Sequence, residues 1–176
     1  MIECFDYFFG GHVEMTDMGF NGKRVDDRIE SDEYLATVFD EALSLARLME
    51  PLNYDTLWLA EHHFSPDRAV LAAPIAIASA IAARTQRMRI GLAVLLLPLG
   101  QPVRIAEEIA TLDHISQGRV EFGIGRGTFP NVHEGFHVPF EESRPRFEEF
   151  LEIDPTGMDH RELFLRRGVL QLPRPE

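Results

Sequence analysis

The chain has 176 residues, 45% of them hydrophobic, with a single cysteine and a formal net charge of -12, enough for one well-buried domain and too short for two. The acidic balance argues against nucleic acid or an anionic membrane surface as partner, since both need clustered Lys and Arg. One cysteine, Cys4, excludes an intrachain disulfide and a Cys-based metal cluster, and it agrees with a reducing cytosol.

The start, MIECFDYFFGG, has neither a basic leader region nor a long apolar core, and no window nears the roughly 18 unbroken apolar residues of a membrane span. The sequence therefore predicts a cytoplasmic protein. Ile2 to Phe9 is an apolar and aromatic run closed by Gly10 and Gly11, which suits a buried strand ending in a turn. The polar, aperiodic stretch 10–30 predicts a long loop. Ser31 can cap a helix whose first turn holds Asp32 and Glu33, with Leu35, Phe39, Ala42, Ala46 and Met49 at helical spacing. Tyr54 to Ala60 predicts a second strand that runs into a polar tip of Glu61, His62 and His63. Pro74 to Ala83 is rich in Ala and Ile and predicts a second helix packed closely on a sheet.

Ile90 to Leu97 is continuously apolar, as in a parallel strand covered on both faces. Pro102 then opens a third helix that Gly118 stops. Val120 to Ile124 predicts the fourth strand, tipped by Gly123, Gly125, Arg126 and Gly127, and 143–153 predicts a fourth helix. Strand and helix alternate four times, the pattern of right-handed βαβ units on a parallel sheet. The tail 154–176 changes character, with several prolines and arginines, and reads as loosely packed. Cys4 and Trp58 read as core residues.

Ligands of parallel α/β folds bind beyond the carboxyl ends of the strands, so the polar tips are the candidate site. Neighbours on a strand point to opposite faces, so Glu61, His62 and His63 do not converge as a metal triad. They are either polar end residues tied to nearby backbone or, for His62, a general base whose ordinary pKa of about 6.5 suits proton transfer near neutrality. Gly123 to Gly127 (GIGRG) is a side-chain-poor turn around one guanidinium. It suits a phosphate, or else it is a tight turn with a solvated arginine; it matches neither a dinucleotide fingerprint nor a P-loop. Arg144 opens the fourth helix, where amides and the helix dipole favour an anion; a surface ion pair is the plainer alternative.

YDTLWLAEHHF (Tyr54 to Phe64), the segment from Ile90 to Gly127 that includes VLLLPLGQPVRIAEEIATLDHISQGRVEFGIGRG, and FEESR (Phe140 to Arg144) resemble the luciferase-like monooxygenases, in order and spacing from about Ile2 to Ile153. The resemblance implies a (βα)8 TIM barrel of which this α/β chain supplies about four of eight units, and a reduced FMN cofactor, delivered by a flavin reductase, that activates dioxygen. By this resemblance His62 matches a histidine implicated in proton transfer, and Arg126 and Arg144 match holders of the FMN phosphate, assisted by the Thr128 backbone. Gly125 matches a position behind the flavin ring, and Ala93 and Val94 match a pair joined by a cis peptide. The implied substrate is a small oxidisable molecule, with long-chain aldehyde the best-known example. A full barrel needs about 250 residues, which implies a fragment or truncated product, or association into a homo- or hetero-oligomer that covers the open sheet edges. Two alternatives stay open: the deazaflavin F420 as cofactor, and a non-catalytic subunit that stabilises a full-length partner.

Overall fold

A computed structural model describes residues 4–13, 31–65 and 69–152; the tail 154–176 and most of the 10–30 stretch lie outside them. Four strands, β1 (Asp6–Phe9), β2 (Thr56–Leu59), β3 (Arg89–Leu96) and β4 (Val120–Gly125), form one sheet in the order β1-β2-β3-β4. Every pairing is parallel. The sequential order follows from the connections: helices α1 (Asp32–Met49), α2 (Pro74–Ala82) and α3 (Pro102–Ser116) return the chain to the same end of the sheet each time. This is the wall of a TIM-type barrel, four strands wide.

The helix boundaries have local causes. Ser31 Oγ accepts from the Tyr34 backbone N–H at 3.2 Å, while Pro74 and Pro102 stand at the starts of α2 and α3, where a missing N–H leaves no bond unmade. Helix α3 stops one residue earlier than its glycine suggests: Gln117 takes the left-handed conformation with φ 60° and Gly118 follows at φ 84°. The buried stripe of α1 is Val38, Ala42, Ala46 and Met49, so Val38 replaces Phe39, which is exposed.

Register sorts the strand residues onto two faces. Leu57 and Ile90, and in the next matching row Leu59, Leu92 and Phe122, are buried with α1, α2 and α3 residues in one core. The other face carries Asp6, Phe8, Trp58, Arg89 and Glu121. There Phe8 and Trp58 are paired in register, as are Trp58 and Gly91, and Arg89 is ion-paired with Glu121. This face is uncovered among the described residues, which corrects the expectation of a β3 buried on both sides. It also corrects Trp58: the ring is half-buried on the open face, its Nε1 donating to Asp6 Oδ2 at 3.2 Å. Cys4 is exposed and precedes β1, which corrects its reading as a core residue.

A short helix, α4 (Pro130–Gly135), lies between β4 and the last helix α5 (Ser143–Glu152); the sequence reading missed it because six residues are too few for a periodic signal. Helix α5 packs against the 3-10 turn Leu97–Leu99 that follows β3. No helix among the described residues is long and apolar enough to cross a membrane.

Candidate functional site

The carboxyl ends of β1 to β4 and the residues just beyond them enclose a cavity of about 530 Å³. Six of the seven sequence-predicted residues line it: His62, Ala93, Val94, Gly125, Arg126 and Thr128. Ala93 and Val94 belong to β3 and Gly125 to β4, while His62 lies just past β2 and Arg126 and Thr128 just past β4; parallel register puts all three strand ends on one rim. Arg144 does not line it. Its Nε donates to Glu148 Oε1 at 2.8 Å with the side chain 79% exposed, so helical i,i+4 pairing sets its direction along α5.

The β2 tip divides into fixed and facing groups. Glu61 Oε1 pairs with His63 Nε2 at 2.7 Å, and Glu61 Oε2 accepts from the Leu96 backbone N–H at 2.8 Å. Both side chains are nearly buried, and His63 meets the Phe136 ring edge-on at 4.8 Å between centroids. Glu61 and His63 thus tie β2 to the end of β3 and to the α4 segment, which is the end-residue role that the sequence left open. His62 lies past the end of β2 and lines the same cavity as Glu61 and His63. Its ring lies 5.4 Å from that of His12, centroid to centroid. Burial, then repulsion from His12 and His63, hold its pKa below the ordinary imidazole value against the opposing pull of Glu61. His62 is therefore neutral and able to accept a proton at pH 7.

Backbone geometry shapes the floor. The Ala93–Val94 peptide is cis, within the interval where the β3 and β4 register shifts. A Cβ on Gly125 would stand 2.6 Å from Val94 Cγ2, so only glycine fits there without displacing the wall. Beside it Arg126 Nη1 donates to Ser143 Oγ at 3.0 Å, and its guanidinium sits over the Phe140 ring at 5.7 Å. One donor is used and the planar fork keeps others for an anion. The Arg126 carbonyl is in turn held by His133 Nε2 at 3.1 Å.

His12, Ser143 and His133 are the site residues that sequence reasoning missed. His12 sits in a stretch without period, and Ser143 and His133 act through contacts with Arg126 that lie 17 and 7 residues away along the chain. A larger groove of about 1030 Å³ lies between α2 and α3 and shares Glu61, His63 and Leu96 with the first cavity. It contains none of the predicted residues.

Parallel βα units joined in sequential order, with a cavity at the carboxyl ends of the strands, place the chain in the TIM-barrel class of folds. The chain belongs to the luciferase-like monooxygenase family, whose profile matches residues 20–175. It is 34% identical over 116 residues to the alkanal monooxygenase alpha chain of Photorhabdus luminescens, covering 66% of this chain and 32% of that one. It is also 34% identical over 126 residues to limonene 1,2-monooxygenase of Rhodococcus erythropolis, covering 72% and 32%. Among solved structures, the oxygenating constituent of 3,6-diketocamphane monooxygenase from Pseudomonas putida, in complex with FMN, superposes with a TM-score of 0.70 at 20% identity, over 86% of this chain and 38% of that one. That likeness is one of fold. The chain spans about a third of the length of these relatives.

Proposed function

We propose that this chain carries one half of the catalytic mouth of a monooxygenase that uses reduced FMN and dioxygen. The observation that carries the reading is the meeting of His62, Ala93, Val94, Gly125, Arg126 and Thr128 around a single cavity. Its volume, about 530 Å³, falls in the range of small-molecule sites. The donor set also fits a flavin mononucleotide: a guanidinium with spare donors and glycine backbone suit the phosphate, and Ala93, Val94 and Gly125 offer a flat apolar surface to a ring. Bound reduced FMN supplies the electrons for oxygen activation.

The chain's own residues then have separable tasks. Arg126, preset by Ser143 and Phe140, anchors the phosphate together with the Thr128 backbone. Arg144 would join only after leaving Glu148, so it is a secondary contact. Val94 and Gly125 flank the ring and exclude water from it, and His62 Nε2 or Nδ1 takes or returns the proton that oxygen transfer requires. In this reading the reduced flavin comes from a separate reductase, and the substrate is a small oxidisable molecule of the long-chain aldehyde type.

The test is a fluorescence titration of the chain with FMN, riboflavin and F420, followed by oxygen uptake with reduced FMN and a series of aldehydes. FMN is expected to bind more tightly than riboflavin, and His62→Ala to keep flavin binding while turnover falls by about 10²-fold or more. Absence of flavin binding overturns the reading, and preference for F420 moves it to the deazaflavin enzymes. Binding that appears only with a full-length partner replaces it with a stabilising subunit.

A further inference from the structure

We infer that His12 is a proton-relay residue that connects His62 to solvent, so that the mouth works with a two-histidine path rather than a single base. The inference rests on the reading of His62 given above. Backbone bonds hold the two imidazoles together even though they are far apart in sequence. The Val70 N–H donates to the Gly11 carbonyl at 2.9 Å and the His62 N–H to the Leu71 carbonyl at 3.0 Å, while His12 forms an antiparallel bridge with Ala69. The strip Ala69–Leu71 thus lies between the two histidine segments and bonds to both.

Gly11 makes this approach possible. It has φ 67°, and a Cβ there would lie 2.5 Å from Leu71 Cβ, so a side chain would push the His12 loop away from the strip. The rings end 5.4 Å apart between centroids, tilted by 57°, close enough for one water or a small rotation to join their nitrogens. Both line the same cavity. His62 is half-buried and His12 exposed, which is the order a path from cavity to water needs.

Among the described residues, the other ionisable groups lining this cavity are bonded elsewhere. Past β2, Glu61 and His63 bond to each other; past β4, Arg126 bonds to Ser143; from α4, His133 holds the Arg126 carbonyl. The β3 residues lining the cavity, Ala93, Val94 and Leu96, carry no charge. The proton balance is simple: a proton taken by one His62 nitrogen leaves from the other, passes to a neutral His12 nitrogen, and departs from His12 to bulk water. Both imidazoles end neutral.

The test uses His12→Gln, which keeps a polar exposed side chain but cannot relay, with His12→Ala as a second variant for rescue. Turnover of both is expected to fall about tenfold, a modest part of a general acid-base contribution, with a larger solvent isotope effect. Added imidazole should restore His12→Ala, and flavin affinity should stay unchanged. Independently of turnover, the NMR titration of His62 should move upward in His12→Gln, because a repelling neighbour has gone. Wild-type turnover and isotope effect in His12→Gln, beside a crippled His62→Ala, overturn the relay and leave the base standing. Full activity of His62→Ala overturns both. In a chain without turnover, an unmoved His62 titration decides against the coupling.

Discussion

Replacing Arg126 with Gln removes the one guanidinium that lines the cavity among the described residues while leaving a polar, uncharged side chain. A hydrogen bond to a charged group contributes about 1.5–3 kcal/mol. Arg126 is exposed at the rim, so solvent screening puts its contribution at the low end. About 1.5 kcal/mol corresponds to roughly a tenfold weaker Kd for FMN. Riboflavin has the same ring and no phosphate, so its affinity should scarcely change, and the FMN-to-riboflavin preference should drop by the same tenfold. Fluorescence titration of both ligands with wild type and Arg126→Gln measures that ratio directly. Ser143→Ala should reproduce a smaller share, because it frees the guanidinium from its 3.0 Å bond without removing charge. Arg144→Gln is the control: its side chain is paired with Glu148 away from the cavity, and its effect should be less than twofold. An equal loss of FMN and riboflavin affinity in Arg126→Gln, or a larger loss in Arg144→Gln, refutes the assignment of the phosphate to Arg126.

Three further outcomes probe the scaffold. Glu50 Oε1 accepts the backbone N–H groups of Gln86, Arg87 and Met88 at 2.6–3.0 Å; burial raises its pKa, but these bonds outweigh it and the net shift is downward from 4.5. The folded state thus binds this proton less readily than the unfolded chain, so the stabilisation is present above about pH 4.5 and disappears as pH falls through the folded value. Glu50→Gln should lose about 1 kcal/mol at pH 7 by urea denaturation, with the difference from wild type vanishing in acid. Gly91→Ala would drive a methyl group into the Trp58 indole and should lower stability by about 1–3 kcal/mol, or roughly 2–4 °C of Tm per kcal/mol. Gly11→Ala, strained at φ 67° and against Leu71, should destabilise by about 1–3 kcal/mol and weaken the His12 and His62 coupling in the same NMR titration.

The local devices of the fold are legible in the residues. Ser31 as a cap, Pro74 and Pro102 at helix starts, and the apolar runs of β2, β3 and β4 act through neighbours within a turn or two, so pattern alone places them. The alternation of strand and helix then fixes a parallel sheet, and with it the end where the polar tips must lie.

Tertiary structure alone decided which partners meet and which face stays open. Whether Trp58 is core or lies over Gly91 depends on register between β2 and β3, and whether Arg126 or Arg144 reaches the cavity depends on Ser143 and Glu148 competing for them. His12 and His62 are fifty positions apart, and they approach only through the strip Ala69–Leu71 and the absence of a side chain on Gly11. Spacing along a chain constrains contacts over a few residues; beyond that, burial of the shared core chooses the register, and the register chooses the neighbours.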